Sequence, residues 1–271
     1  MATAIHSTAI IDKGASIGAD TTIGPYTVVE GDVVIGDRCD IGPHVLIAAG
    51  TRLGKECRVF KGASLGTVPQ DLKFSGEKTF LTIGDNCVIR EFCMFNRGTK
   101  VTGETVIGSN CMFMAYCHVA HDCRIGDNLV AANSLQLAGH VEIGSGVNVG
   151  GVCAVTQFRK IGDLCHLGAY SLIIKDVVPF AITAPGPMRV VGINRIGLSR
   201  AGFTEERRRA IKRAYKVLFR DGLTTTEACG RLAADFAGNP DIQKMIDFIK
   251  GSTRGLLRMR EQEPEMDGEE Q

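Results

Sequence analysis

The sequence lacks an excess of either charge and a long apolar run. Its 271 residues carry 31 basic and 30 acidic side chains, a formal net charge of +1, so bulk charge selects no partner and gives no reason to expect nucleic acid. No apolar run of about 18 residues occurs, so no integral membrane segment is predicted. The first residues show no basic region followed by an apolar run, so no secretory signal is expected and the predicted location is the cytoplasm.

The overall charge balance hides two opposed segments. Residues 200–220 carry eight basic side chains against two acidic ones, whereas residues 261–271 carry six acids and no base. A basic run is usually only the solvated face of a helix, although it also suits an acidic protein partner. The acidic end is predicted to be a disordered, solvated tail.

A six-residue period governs the first two thirds of the chain. Every sixth position from Ile5 to Ile173 gives 29 positions, and Ile, Leu or Val fills 24 of them. The residue after the aliphatic is often Gly, and the residue four after it is usually small. The exceptions to the aliphatic rule are Asp71, Glu77, Phe95, Phe113 and Ala131.

A period of six suits a short strand followed by a tight turn. Three hexads form a triangular coil of ~18 residues, and coils stack at ~4.8 Å, the spacing of neighbouring strands. Gly is expected to supply the backbone freedom that the corners need. The predicted fold class is an all-β solenoid, a parallel β-helix of hexapeptide repeats with a C-terminal α-helical domain. The repeat resembles the left-handed β-helix acyltransferase superfamily, and only that resemblance implies the left hand, because ordinary parallel crossovers are right-handed.

Nine of the ten cysteines share the small fifth position of a hexad, four residues after the position that is usually aliphatic. This slot predicts that cysteine acts there as a small buried apolar residue rather than as a metal ligand or half of a disulfide. Free thiols also suit a reducing compartment. Cys229 lies outside the repeat, and the nine inside it are Cys39, Cys57, Cys87, Cys93, Cys111, Cys117, Cys123, Cys153 and Cys165.

The repeat and its breaks divide the chain into segments. Residues 70–82 are predicted to be an extruded loop, because Asp71 and Glu77 stand where aliphatics belong. Residues 98–106 also depart from the pattern. The expected segments are the β-helix over residues 1–180, a connector over 181–203, a helical domain over 204–260 and the tail over 261–271.

Three helices are predicted in the C-terminal domain. The first starts near Thr204, and the second begins with a capping box formed by Thr224 and Glu227. The third follows Pro240 and runs to about Lys250. Together they are expected to cap one open end of the solenoid.

Coil arithmetic brings together residues that are distant in sequence. One coil of three hexads leads from His121 to Gly139, and a second coil leads on to Gln157, so these three are predicted to stack along one edge of the prism. The same count places His140 one coil from Asp122. His121 occupies a turn position of its hexad, so its ring is expected to face outward, toward solvent or a neighbouring subunit.

This arrangement is typical of general-base chemistry. An imidazole titrates near neutrality, and an adjacent carboxylate such as Asp122 can orient it, while Gly139 can offer its N–H to an oxyanion. Zinc is the alternative from another class, since trimeric β-helix carbonic anhydrases bind metal through three histidines at subunit interfaces. Here the candidates are His118, His121 and His140. However, only two residues lie between His118 and His121. In the β-helix carbonic anhydrases, four residues lie between the two metal-binding histidines that are nearest in sequence.

Four short motifs resemble the UDP-N-acetylglucosamine 3-O-acyltransferase family, which takes the first step of lipid A biosynthesis. The resemblance covers nearly the whole chain, including residues 252–256 (STRGL) of the helical end. Hexads alone do not identify a family, whereas QDLKFSGE at residues 70–77 together with AHDC at residues 120–123 is specific for this one. The motifs are residues 70–77 (QDLKFSGE), 96–99 (NRGT), 120–123 (AHDC) and 137–140 (LAGH).

The resemblance implies an enzyme that transfers an (R)-3-hydroxyacyl chain from acyl carrier protein to the sugar 3-hydroxyl. The carrier's phosphopantetheine brings the acyl group, and no other cofactor is implied. His121 is then the general base, supported by Asp122, with the Gly139 amide as oxyanion donor. A homotrimer in the cytoplasm of a Gram-negative-type bacterium is implied too. The remaining matched substrate-binding positions are Asp71, Lys73, His118, His140 and Gln157, with Asn194 and Arg200 in the nucleotide site.

Some positions depart from the family pattern. Family members commonly have His where Thr156 stands, and often an acid at Ile196 and an Arg at Ala201. These departures put the contacts to uridine, phosphate and sugar in question, and acylation of the 3-amino analogue of the sugar stays open. Ala169 falls at the position where the size of the side chain sets the length of the acyl chain in this family. The alanine side chain is intermediate in size. The predicted acyl chain is therefore shorter than that of Gly-bearing members.

Overall fold

Three sheets wound into a prism dominate the computed structural model, which describes residues 3–259. The first sheet contains β1 (Ala4–Ile5), β4 (Thr22–Ile23), β7 (Asp40–Ile41), β10 (Arg58–Val59), β13 (Val88–Ile89), β16 (Met112–Phe113), β19 (Val130–Ala131), β22 (Asn148–Val149), β25 (His166–Leu167), β27 (Ala181–Ala184) and β28 (Arg189–Ile193). The second contains β2 (Ile10–Ile11), β5 (Val28–Val29), β8 (Leu46–Ile47), β11 (Ser64–Thr67), β14 (Met94–Asn96), β17 (His118–Val119), β20 (Gln136–Leu137), β23 (Ala154–Val155) and β26 (Leu172–Ile173). The third contains β3 (Ser16–Ile17), β6 (Val34–Ile35), β9 (Thr51–Leu53), β12 (Phe80–Ile83), β15 (Glu104–Ile107), β18 (Arg124–Ile125), β21 (Glu142–Ile143) and β24 (Lys160–Ile161).

Each coil contributes one strand to each sheet, which confirms the three-hexad winding. Val119 pairs in parallel with Leu137, and Leu137 pairs with Val155, so each partner stands three hexads after the last. We call the corner where the chain passes from the second sheet to the third the second–third edge, and the corner between the first two sheets the first–second edge. The aliphatic hexad positions fill the prism interior, which is a continuous apolar core.

Two insertions interrupt the winding, and both leave the prism at the second–third edge. Residues 68–79 lie between β11 and β12, and residues 97–103 lie between β14 and β15. Leu65 pairs with Phe95, five hexads on, and Phe95 pairs with Val119, four hexads on, where an uninterrupted coil has three. The longer insertion therefore adds two hexads and the shorter one adds a single hexad, so the phase of the repeat is kept.

The insertions correct three details of the sequence prediction. The predicted 70–82 loop extends too far, because β12 resumes at Phe80, and the irregular 98–106 stretch ends when β15 begins at Glu104. Val101 fits the aliphatic count, but it lies exposed in the second insertion and contributes nothing to the core. The six-residue count stays in phase beyond Val101 because the second insertion is one hexad long.

Glycine plays a different role from the one predicted. The corner residues with positive φ stand three places after the aliphatic and are mostly not glycine, as with Asp122 at 60° and His140 at 61°. The Gly that follows the aliphatic is needed for close approach instead. A Cβ on Gly126 would lie 2.6 Å from Ser145 Oγ and 2.9 Å from the carbonyl carbon of Gly144 in the next coil. The corners therefore hold L-residues in the left-handed region, and the walls meet through bare backbone.

The repeat cysteines are free and buried, as predicted, but they are not merely apolar. The Cys111 thiol donates to the carbonyl of Gly126 at 3.4 Å, and the Cys123 thiol donates to that of Ala138 at 3.2 Å. Thr21 fills the same slot and donates its hydroxyl to Gly36 O at 2.9 Å. Cysteine thus acts here as a small, weak donor that satisfies a corner carbonyl of the next coil.

The C-terminal part closes one end of the prism. The predicted connector consists of the antiparallel β27–β28 pair, which extends the first sheet, and a short helix that sequence reasoning missed. The three predicted helices are present, and Thr224 and Glu227 form the expected capping box. The predicted tail, 261–271, lies outside the described residues, and no helix among residues 3–259 is long and apolar enough to cross a membrane. The helices are α1 (Arg195–Arg200), α2 (Glu205–Phe219), α3 (Thr225–Asp235) and α4 (Pro240–Lys250).

Candidate active site

The second–third edge brings His121 and Gly139 into the predicted column. His140 N donates to His121 O at 3.0 Å, and Phe158 N donates to Gly139 O at 3.3 Å, so successive coils are in register here. The Gly139 backbone lies directly against the imidazole. A Cβ on Gly139 would lie 2.6 Å from Cε1 and 2.7 Å from Nε2 of His121. Only glycine at this position leaves room for that ring.

Asp122 orients the imidazole from the other side. Its Oδ2 accepts a hydrogen bond of 2.7 Å from Nδ1 of His121, and the ring presents Nε2 toward the Gly139 backbone. The sequence neighbour therefore does face the ring. His121 is 7% exposed and Asp122 is 3% exposed, so both are buried within a single chain, whereas the ring was expected to face outward, toward solvent or a neighbouring subunit.

The second insertion holds the Asp122 carboxylate in its charged form. Thr99 donates from its backbone N–H to Oδ1 at 3.0 Å and from its hydroxyl to Oδ2 at 2.8 Å, and the Thr102 hydroxyl also donates to Oδ1. Burial raises the pKa of Asp122, but the hydrogen bonds from Thr102, His121 and Thr99 outweigh it and lower the pKa to about 2. The carboxylate stays ionised beside the imidazole.

Two further histidines flank this pair. His118 lies on β17, and its Nδ1 donates to the carbonyl of Met94 at 3.0 Å, while burial lowers its pKa. His140 points Nε2 toward Oδ2 of Asp122 at 3.5 Å, and its ring meets that of His121 edge-on at 5.2 Å. Burial lowers the pKa of His140, whereas the charges of Asp122 and Asp71 act in the opposite direction. Both imidazoles are therefore biased toward the neutral form.

The two insertions contact each other above this edge. Glu77 accepts a hydrogen bond of 3.1 Å from the backbone N–H of Lys100, and hydrogen bonds from Ser75 hold the pKa of Glu77 at about 2. Asp71 closes a turn by accepting from the N–H of Lys73 at 3.0 Å, and the Lys73 side chain is exposed. The loop thus presents Asp71 and Lys73 on the same edge as His121.

The other predicted site residues do not all lie on the same edge of the prism as His121 and Asp122. Gln157 follows Gly139 in the column and is exposed. Ala169 is exposed on the first–second edge, and Thr156 donates its hydroxyl to Ile173 O at 3.1 Å. The column prediction therefore holds for Gln157, while Ala169 stands across the outer face of the second sheet from His121.

Asn194 has a structural role in this chain. It caps α1 by accepting from Gly197 N at 3.0 Å, and its Nδ2 donates to Leu164 O at 2.8 Å, so both polar ends of the side chain are engaged. Arg200, at the end of α1, is exposed. With Arg195 and Arg208 it lines a cavity of about 680 Å³, so three arginines border one cavity near that helix.

Among the described residues, His121, Asp122 and His140 form one group whose possible ligand atoms all lie within 4.8 Å of one another. The contacts of Asp122 disfavour a metal there. Its oxygens already accept from His121, Thr99 and Thr102, and a cation would have to displace those donors. The donor set suits an oriented base better than a metal site.

Sequence reasoning missed the residues that support this pair. Thr99 and Thr102 bond Asp122 from an insertion, and Phe158 stacks on His140 with ring centroids 4.6 Å apart. Coil counting contained a signal for Phe158, which stands one coil after His140 in the same column. The repeat places Thr99 at its small position, four residues after Phe95, but nothing in the periodicity links either threonine to Asp122.

Comparison with known proteins finds close relatives over nearly the full chain. A family model described as UDP N-acetylglucosamine O-acyltransferase, domain 2, matches residues 176–257, and a bacterial transferase hexapeptide model matches residues 14–49 and 104–130. The acyl-[acyl-carrier-protein]–UDP-N-acetylglucosamine O-acyltransferase of Thiobacillus denitrificans is 47% identical over 255 residues, covering 94% of this chain and 99% of the relative. The enzyme of the same name from Halorhodospira halophila is 46% identical over 258 residues, covering 94% and 100%.

Solved structures give the same result. LpxA from Acinetobacter baumannii superposes with a TM-score of 0.91 at 40% identity, covering 94% of this chain and 99% of that one. The UDP-N-acetylglucosamine acyltransferase of Francisella novicida also gives 0.91, at 35% identity, covering 96% and 95%. With the hexapeptide match, this likeness makes the fold a left-handed parallel β-helix.

Asp122→Asn tests the ionised carboxylate. Because the folded-state pKa of Asp122 lies at about 2, below the ordinary 3.8, the charge stabilises the fold above pH 3.8, and this is lost as pH falls from 3.8 to about 2. The two values imply about 2 kcal/mol. We expect the difference in unfolding free energy between wild type and variant, measured in urea, to shrink by that amount between pH 5 and pH 2. A difference that stays constant over this range would contradict the assignment.

Proposed function

The chain belongs to the UDP-N-acetylglucosamine O-acyltransferase family, and we propose that it carries out the reaction for which its relatives are named. It transfers an (R)-3-hydroxyacyl chain from acyl carrier protein to the 3-hydroxyl of UDP-N-acetylglucosamine, the first step of lipid A biosynthesis. The observation that supports this best is the buried His121 imidazole, held between the Asp122 carboxylate and the Gly139 backbone.

His121 acts as the general base in this proposal. Its Nε2 takes the proton from the sugar hydroxyl as the oxygen attacks the thioester carbonyl, and Asp122 stabilises the imidazolium that forms. Among the described residues the Gly139 N–H has no backbone acceptor, so it is available to the oxyanion. When the intermediate collapses, the C–S bond breaks and the imidazolium returns its proton to the phosphopantetheine sulfur. The products are an ester and a free thiol.

The sugar nucleotide is proposed to bind along the second–third edge and against the next subunit. His118, His140 and Gln157 face the sugar from the coils, and Asp71 and Lys73 approach from the insertion. For the nucleotide, the arginine cluster around Arg200 suits a diphosphate. Asn194 supports that site mainly by capping α1 and fixing where the cluster stands.

The acyl donor is proposed to dock on the basic run. A cavity of about 1050 Å³ opens between the β27–β28 pair and α2, lined by apolar residues, six basic residues and the two acids Glu205 and Glu206. This combination suits an acidic carrier helix with an apolar face. The donor arrives covalently attached to its carrier, so no resident cofactor is proposed. The basic residues that line the cavity are Arg195, Arg209, Lys212, Arg213, Lys216 and Arg220.

We also propose that the enzyme works as a homotrimer in the cytoplasm. Arg124, Glu142 and Lys160 form a charged column on the outer face of the third sheet, whereas the first sheet presents the apolar column Val88, Met112 and Val130. An apolar column on an outer wall suits burial against a second copy. The buried free thiols suit a reducing compartment.

Acyl transfer is tested with purified protein, hydroxyacyl carrier proteins of several chain lengths, and either UDP-N-acetylglucosamine or its 3-amino analogue, with mass spectrometry of the products. We expect O-acylated sugar nucleotide, and a fall of about 10²–10⁴-fold in His121→Ala because the base is gone. Amide product alone would move the assignment to the amino sugar. No product with either acceptor, together with stoichiometric zinc in the protein, would favour the carbonic-anhydrase alternative.

A matched pair of glycine variants completes that test. Gly139→Ala places a Cβ 2.7 Å from Nε2 of His121 and must displace the ring, so we expect a loss of about 10²–10³-fold. Gly151→Ala is the control, since it occupies the same hexad position and its Cβ would make an ordinary contact of 3.6 Å with Asn133 O. Equal activity in the two variants would argue against Gly139 as part of the site.

Ala169→Gly tests the proposed limit on chain length. If the Ala169 methyl group shortens the acyl groove, its removal makes room for about one or two further methylenes, each worth roughly 0.8 kcal/mol when buried. We expect the preferred donor, ranked by kcat/KM over the carrier-protein panel, to become longer. An unchanged ranking would remove Ala169 from the proposed groove.

Val130→Glu tests the trimer. A charge on the apolar outer face of the first sheet should weaken assembly, because burying an unpaired carboxylate is costly. We expect wild type to have three times the 29.0 kDa chain mass in light scattering, and the variant to have a lower mass. Val106→Glu is the matched control, since Val106 is equally half-buried but stands on the third sheet beside Arg124, and it should stay trimeric.

A further inference from the structure

A stack of rings continues from the proposed base toward the helical domain. Asp122, His140 and Phe158 occupy the same corner position in three successive coils, each with φ near 60°. The His140 and Phe158 rings are nearly parallel, with centroids 4.6 Å apart and 9° between planes. The Arg254 guanidinium also lies over the Phe158 ring, 5.1 Å from its centroid. No chemical step of the proposed reaction uses Phe158.

The stack fixes the direction in which His140 points. Its ring meets His121 edge-on, at 89°, and its Nε2 approaches the same oxygen of Asp122 that accepts from His121. A rotation of His140 would therefore change both its 3.5 Å contact with Asp122 and the space in front of His121. A flat ring packed against one imidazole face restricts that rotation.

We propose that Phe158 is a positioning residue of this enzyme, which acts through His140 by holding its imidazole edge-on to His121 and directed at Asp122. The inference rests on the proposed acyltransferase function for its kinetic consequence. Its structural content, that Phe158 sets the orientation and environment of His140, stands independently of the reaction.

Phe158 also keeps water from one face of His140. The groups that act on His140 are Asp122 and Asp71, which favour its protonation, and His121, which opposes it, while Arg254 stands behind Phe158. Burial is the largest influence and lowers the pKa of His140, so removing the Phe158 ring should raise that pKa. A protonated His140 would compete for Asp122 and place a positive charge 5.2 Å from the ring of the base. The base would then work less well at the acidic end of its range.

The helical domain anchors the far end of the stack. Asp176 is fully buried and binds the segment after α4, accepting from Ser252 Oγ at 2.6 Å and from Leu257 N at 2.8 Å. Arg254 lies within that segment, so its position over Phe158 is set by the closing end of the chain. The cap thereby contributes to the active edge through contact rather than through chemistry.

Three variants test the proposal. Phe158→Leu keeps an apolar side chain but loses the flat ring, and we expect kcat to fall about threefold to tenfold, the range of a lost ring stack, with the acid limb of kcat moving up by roughly half a pH unit. Phe158→Tyr keeps the ring, so its activity and pH profile should stay close to wild type. Phe92→Leu is the control, since Phe92 is 47% exposed against 43% for Phe158, has positive φ, and stacks on Tyr116 on the first–second edge. It should leave kcat unchanged.

A double-mutant cycle and a titration decide whether Phe158 acts through His140. In a His140→Ala background, Phe158→Leu should lower kcat by no more than about 1.5-fold, because the residue that Phe158 positions is gone. An equal loss in both backgrounds would overturn the proposal. NMR titration of the His140 ring in the free protein should show a higher midpoint in Phe158→Leu than in wild type, and an unchanged midpoint would also overturn it. Since this titration needs no substrate, absence of acyl transfer would refute the proposed function and leave the role of Phe158 to be decided by the NMR result.

Discussion

Hydrogen bonding between successive coils is the constraint on which the rest of this molecule depends. A backbone N–H in one coil donates to a carbonyl of the next, so residues one coil apart become neighbours without any loop having to close. This register places the bare backbone of Gly139 against the His121 imidazole, the two groups proposed to serve as oxyanion donor and general base. The precision comes from the spacing of the coils, which many other hydrogen bonds enforce. A slip of one residue would turn Gly139 away from the ring.

The sequence correctly predicts the features that the register between successive coils determines. The three-hexad winding, the column of His121 and Gly139, and the single slot of nine cysteines follow from counting, because each repeat position meets the same surroundings in every coil. Counting also gives a false result where the chain leaves the coil. Val101 keeps the count but is exposed, since the insertion that contains it is one hexad long. Periodicity reports phase along the chain, and phase alone does not say whether a segment is wound into the prism.

Other features escape sequence reasoning because they depend on contacts between segments that share no register. Thr99 and Thr102 reach Asp122 from an insertion, and their hydrogen bonds outweigh the cost of burying its charge. Asn194 matches a nucleotide-binding position by resemblance, yet its side chain is engaged in capping α1 and bonding Leu164 O. The repeat predicts glycine at corners of positive φ, whereas the structure needs it where two coil walls leave no room for a Cβ. In each case the sequence gives the residue type but does not indicate which residue of another segment it contacts.

The placement of the insertions shows how a uniform scaffold acquires one reactive edge. Additions of two hexads and of one hexad preserve the phase of the repeat, so the aliphatic core continues through both without a defect. Both leave at the second–third edge, from the two coils that precede the one containing His121. The longer one brings Asp71 close enough to influence His140, and the shorter one buries the Asp122 carboxylate under threonine donors. A bare β-helix corner would leave His121 hydrated and Asp122 an ordinary surface acid. It is the pair of phase-preserving insertions that converts one corner among many into a dry, oriented acid–imidazole pair.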